Sequence, residues 1–237
     1  MIGDAFSYLF DSANWTGSDG MLVELGEQLL LTVTALLITA LIALPVALVL
    51  GHLGRGGFLA INISNVGRAV PTFAVLILLS VGPLGTAVLG PYGRAGLATL
   101  VALTLFALPP IITNGYVGMR EIDRATVEAA KGMGMSGPQL FFTVELPLAT
   151  PLILTGLRLA LVQVWATATI AALVAGPGLG NVITAGFYRN DYGKGLAGAL
   201  VVAAIALILE GLAALVERYA DPLARVQRRQ RAFVAVA

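Results

Sequence analysis

Side chains able to do bond chemistry are sparse in this chain, and they are scattered. The sole histidine, His52, lies in a glycine-rich turn with no acid, thiol or second imidazole beside it in sequence. A metal centre or a catalytic triad needs such partners, so no metal-binding or catalytic residue is assigned. Cysteine is absent, which excludes disulfides and thiolate metal sites. No G-x-x-x-x-G-K-[ST] run occurs, so the chain does not cradle nucleotide phosphates in that way. An intramembrane enzyme would cluster its acids, nucleophiles or ligands, and one histidine with one span carboxylate makes no cluster.

Four further positions carry unusual chemistry for their surroundings. Glu210 is a carboxylate inside an apolar run, where an ionised group must face protein or water. A structural contact to a neighbouring helix is expected there, since a proton relay would need a partner that the sequence does not reveal. Arg158, at the edge of another apolar run, is expected to snorkel to the interface. Gln163 and Trp165 fall near the middle of that run, although tryptophan favours interfaces. Core packing is the default for Trp165. In a pathway, its ring face would pass a quaternary ammonium by cation–π attraction. Pro109 and Pro110 break a third run; they remove helical hydrogen bonds and, with Gln163 and Trp165, are the candidate pathway residues.

The elements that must position these residues are membrane spans. Hydrophobic residues make up 58% of the 237 residues and charged ones only 11%, against about 25% charged in soluble domains. Uncharged runs long enough to cross about 30 Å of hydrocarbon predict five spans: 28–50, 69–89, 95–119, one within 159–188, and 196–216. The N-terminal segment, 1–27, carries Asp4, Asp11, Asp19, Glu24 and Glu27 without Lys or Arg. It lacks the pattern of a cleaved signal peptide. Phe6, Tyr8, Phe10 and Trp15 suit a short helix on the outer interface. Arg55, Arg68, Arg120, Arg124, Lys131, Arg218, Arg225, Arg228, Arg229 and Arg231 fall on one side of this layout, and Arg94, Arg189 and Lys194 on the other. The positive-inside rule then puts the N-terminus out, and the C-terminus and the 121–147 loop in.

That loop, EIDRATVEAAKGMGMSGPQLFFTVELP, is the one long charged and turn-rich interruption. Asp123 is placed to cap a short helix with Thr126, Ala129, Ala130 and Met133 on a face of mostly small residues. Gly132 and Gly134 weaken a helix by about 1 kcal/mol each and fit better as its end, in a left-handed cap. Ser136 and Pro138 restart a second short helix, whose Leu140, Phe141, Phe142 and Val144 suit the membrane interface. Two short helices with a sharp break, tethered at both ends to spans, make a docking element.

Glu128, Ala129, Ala130, Gly134, Val144, Leu146 and Pro147 follow the spacing E-A-A-x3-G-x9-I-x-L-P, with Val for Ile as the one departure. This resembles the cytoplasmic loop of permease subunits of bacterial ABC importers. The stretches VGRAVPTFAVLILL, LPPIITNGYVGM, VEAAKGMGM and ALVAGPGLGNVI are similar to permeases for glycine betaine, choline and related osmoprotectants, with methionine-importer permeases the next candidate. The resemblance implies an all-α, type I (MetI-like) importer domain over 28–216, with a basic tail at 217–237. It implies a coupling helix that presents Glu128, Ala129, Ala130, Gly132, Met133 and Gly134 to an ATPase. Two ATPase subunits holding ATP and Mg, a second permease subunit, identical or paralogous, and an extracytoplasmic solute-binding protein are the implied partners. This chain itself needs no cofactor, and nothing in its charge points to nucleic acid. A secondary transporter or channel would instead show paired intramembrane carboxylates or inverted-repeat symmetry, and the sequence displays neither.

Overall fold

The computed structural model describes residues 1–58, 62, 67, 69–88, 90–93 and 95–220, and every regular element among them is helical. Arg68, Arg94 and the basic tail with Arg225, Arg228, Arg229 and Arg231 lie outside the described residues. Among the described residues four helices are long and apolar enough to cross a membrane: α2 (Met21–His52), α4 (Gly96–Arg120), α6 (Gly137–Val174) and α8 (Tyr192–Ala220). The shorter helices are α1 (Ile2–Phe10), α3 (Thr72–Val81), α5 (Arg124–Gly132) and α7 (Gly180–Tyr188).

Two expected spans differ from what forms. Among the described residues, the one predicted over 69–89 is reduced to α3, ten apolar residues that cover about 15 Å, half the hydrocarbon thickness. Pro71 stands at its N-cap, Gly82 leaves it in extended conformation, and Pro83 starts a separate single turn over Pro83–Thr86. The span predicted within 159–188 instead belongs to a helix that starts at Gly137 and runs unbroken to Val174. The charge of Arg158 is matched by two carboxylates of α8, so it does not bound the span and the helix passes through it. The short second helix predicted after Ser136 is therefore the first turn of α6, not a separate piece.

Around Pro147 the α6 ladder adjusts. Proline has no N–H to donate, and the backbone ahead of it forms a π turn over Phe141–Glu145, with the Leu146 N–H donating to the Phe141 carbonyl. This is how a helix absorbs a missing bond without breaking.

The core lies where α2, α4 and α6 pack together, around Leu31, Ala35, Ala43, Leu103, Ile111, Ala160 and Val164. The alanines let backbones approach closely, the usual basis of packing inside a bilayer. At Gly156 an added Cβ would sit 2.8 Å from Asn114 Cβ and 3.0 Å from the Pro110 carbonyl oxygen, so the crossing of α4 and α6 requires glycine. Leu41 on α2 and Leu207 on α8 are each about three-quarters exposed, as side chains facing lipid should be. The predicted N-terminal helix forms as α1. Trp15 Nε1 donates to the Leu9 carbonyl at 2.7 Å, and Asn14 Nδ2 donates to that of Tyr8 at 3.0 Å, which satisfies the open end of the helix. Burial first, then the Asp191 and Asp11 carboxylates, push the Tyr8 phenol above its ordinary pKa.

Candidate functional site

The loop between α4 and α6 folds as its residues require. Asp123 Oδ1 accepts from the Ala125 N–H at 3.0 Å and caps α5, a contact worth about 1 kcal/mol. At the other end the Gly134 N–H donates to the Lys131 carbonyl at 2.9 Å, and the Met135 N–H to that of Ala130 at 3.3 Å. This pair of bonds is a Schellman end, which needs a left-handed residue; Gly134 supplies it at φ 83°. Ser136 then restarts the chain, its N–H donating to Gln139 Oε1 at 2.9 Å, with Pro138 in the first turn. α5 is thus stopped by glycine geometry and α6 started by the Ser136 cap, and the elbow between them is defined.

Five of the six predicted docking residues face outward. Glu128, Ala129, Gly132, Met133 and Gly134 are exposed, Met133 by 74%, and Glu128 takes no partner among the described residues. Ala130 is the exception. It is 3% exposed, because it shares the inward face of α5 with Val127 at i, i+3 spacing. Among the described residues a Cβ added at Gly132 or Gly134 would meet nothing within 4 Å, so none of them demands a small residue at Gly132.

Three of the four predicted pathway residues come together. Pro109, Pro110 and Gln163 line one cavity of about 360 Å³ with Gly67, Leu159, Val162 and Ala166. Pro110 cannot donate to the Phe106 carbonyl, four residues before it, and Gln163 Nε2 does so instead at 3.1 Å. The amide of α6 therefore replaces a bond that α4 lost, and it does so at the cavity wall. Leu159, Gln163 and Ala166 form an exposed stripe of α6. Trp165 is elsewhere. It is fully buried against Met21, Leu179, Val182 and Val201, with Nε1 donating to the Val202 carbonyl at 3.0 Å, the packing role given above as its default.

Three contacts join residues far apart in sequence. Arg158 does not snorkel: Nε donates to Glu210 Oε1 at 2.7 Å, Nη2 also reaches Glu210, and Nη1 donates to Glu217 Oε2 at 2.9 Å. Thr155 Oγ1 donates to the other Glu217 oxygen at 2.6 Å. Glu210 accordingly has the helix contact expected of it, with a partner that opposite charges in two apolar runs could have suggested. His52 has a partner too, its Nδ1 in hydrogen-bond contact with Glu145 Oε2 across 93 residues; no local pattern points to that pair. Glu24 Oε2 accepts from the Gly178 N–H at 3.2 Å and from Asn181 Nδ2 at 3.0 Å, tying the start of α2 to the turn after α6. Gly178 is at φ 119°, and its Cβ would lie 3.2 Å from Gln28 Cβ.

Comparison with known proteins agrees with this arrangement. The fold is similar to that of the MetNI methionine ABC transporter in an inward-facing conformation, with a TM-score of 0.69 and 20% identity over 84% of this chain and 95% of that one. The chain is 34% identical to the osmoprotectant import permease protein OsmY of Salmonella typhimurium, over 85% of this chain and 83% of the relative. It is 30% identical to the glycine betaine/carnitine/choline transport system permease protein OpuCB of Bacillus subtilis, over 87% and 91%. It is 32% identical to the carnitine transport permease protein OpuCD of Listeria monocytogenes, over 93% and 95%. Residues 41–221, which hold the α5 loop, the cavity and the Arg158 cluster, match the family described as the inner membrane component of binding-protein-dependent transport systems, and the chain belongs to that family.

Proposed function

We propose that this chain is the membrane-spanning permease subunit of an ATP-driven importer for quaternary ammonium osmoprotectants of the glycine betaine, choline and carnitine kind. One observation carries the coupling role: α5 is a doubly capped, outward-facing helix joined at both ends to helices long enough to cross a membrane. The substrate class rests on the names of relatives 30–34% identical over most of the chain.

Two copies of this permease, or this one and a paralogue, enclose the path, with the cavity at Pro109, Pro110 and Gln163 facing it. Two ATPase subunits dock on the α5 surfaces from the cytoplasm and hold ATP and Mg, and a solute-binding protein delivers cargo at the opposite face. Driving a two-state gate from 1:99 to 99:1 takes about 5.5 kcal/mol of differential binding. A foot fixed by Asp123, Gly134 and Ser136 transmits that difference as a rigid body. Its exposed Glu128 is available to a basic group of the ATPase. The two-carboxylate cluster does not favour an ion-driven transporter, because Arg158 already engages both acids.

The test is reconstitution of this permease with its ATPase and solute-binding protein in liposomes. ATP-dependent uptake of labelled choline or glycine betaine is expected. Uptake that persists without any ATPase, or uptake of methionine in place of both osmolytes, refutes the respective part of the proposal.

A further inference from the structure

Two soft joints meet at one contact in this molecule. The first is the π turn at Phe141–Glu145, just before Pro147, where the ladder of α6 is widened and force from α5 would bend the chain rather than pass along it. The second is the end of α2, which runs into a turn with Gly54 at φ 66° and Gly56 at φ 78°. His52 closes the last turn of α2, and Glu145 is the last residue of the π turn. The Glu145 side chain is turned inward and is 9% exposed. A buried carboxylate needs a donor, and His52 Nδ1 is in hydrogen-bond contact with it. The Phe141 ring stands edge-on to the imidazole at 5.4 Å and 86°, which packs the His52 ring in place beside Glu145.

We infer that His52 and Glu145 are a pair of positioning residues that tie the loop end of α2 to the root of the α5 loop, so that movement of the ATPase-facing foot carries α2 with it instead of being lost at the π turn. The inference rests on the importer reading and adds to it the route by which motion reaches the first long helix. Without the tie, α5 still docks and the ATPase still turns over, but the transmembrane helices follow it less faithfully.

The experiment uses the reconstituted complex with labelled choline or glycine betaine as the probe, reading uptake and solute-stimulated ATP hydrolysis together. For His52→Ala and Glu145→Ala, hydrolysis is expected within about twofold of wild type while uptake per ATP falls about fivefold or more. The double variant should be no worse than the poorer single one, since both remove one contact. His52→Asn, whose amide N–H falls near the Nδ1 position, should recover about half of the lost coupling or more. Unchanged uptake per ATP in both single variants overturns the inference. So does a parallel loss of uptake, hydrolysis and assembled complex that His52→Asn does not reverse, which would mean packing alone. Additive losses in the double variant overturn it as well. Failure of the wild-type complex to show ATP-dependent uptake is a separate outcome, seen before any variant, and it removes the importer reading itself.

Discussion

Gly132 offers a clean test of the docking face, because none of the described residues gives a reason for a glycine there. It is the last residue of α5, it is not among the glycines at positive φ, and its Cβ would enter open space. Glycine in a helix costs up to about 1 kcal/mol relative to alanine, so Gly132→Ala should leave stability equal or slightly higher. Gly132→Leu, whose Cβ meets nothing within 4 Å among the described residues, should stay within about 0.5 kcal/mol, as exposed substitutions do. If an ATPase groove closes over this face, the leucine overpacks it by about 1–3 kcal/mol. At 1.4 kcal/mol per decade that is about 5- to 150-fold weaker association. The assays are thermal unfolding of the purified permease, affinity for the ATPase subunit by interferometry, and uptake in liposomes. Unchanged affinity and uptake in Gly132→Leu would refute the docking face. A clear drop in Tm would refute the claim that the glycine serves the partner rather than this chain.

The remaining expectations follow from the same contacts. Gly134→Val places a β-branched residue at φ 83°, costs about 1–2 kcal/mol or more of loop geometry, and should uncouple ATP hydrolysis from uptake; normal solute-stimulated hydrolysis with normal uptake would contradict this. Gln163→Leu leaves the Phe106 carbonyl, already abandoned by Pro110, without its donor and should alter uptake rate at the cavity, whereas unchanged kinetics would remove Gln163 from the pathway. Trp165→Leu, in a fully buried site, should lower the yield of folded protein without changing the KM for solute; a changed KM in protein of normal yield would return Trp165 to the pathway. Arg158→Ala leaves Glu210 and Glu217 without their counter-charge in an apolar run and should cut the membrane-inserted yield, while replacing all three by leucine should restore it, since removing every member of an ion cluster is milder than removing one partner. Equal yields for the single and triple variants would refute an ion-pair role.

Much of the fold was legible because membrane helices and capped turns are governed by local rules. Long uncharged runs announced α2, α4 and α8, since the bilayer admits only backbone that satisfies itself. Asp123, Gly134 and Ser136 announced the loop, because each acts on backbone groups within a few residues of its own position. The family was legible for the same reason: Glu128, Ala129, Ala130, Gly134, Leu146 and Pro147 fall in one spacing pattern within 20 residues. What tertiary structure decided were the facts that depend on a distant residue. Whether Arg158 ends a span or lies within one turns on Glu210 and Glu217, some 50–60 positions away. Whether Ala130 faces a partner or the protein depends on how α5 rolls against its own subunit. Trp165 became core because Met21, Leu179 and Val201 converge on it, and Gln163 became cavity wall because Pro110 left a carbonyl open on the facing helix. Charge and side-chain type can be read along the chain, but whether a charge is neutralised or a side chain enclosed depends on what the fold sets opposite it.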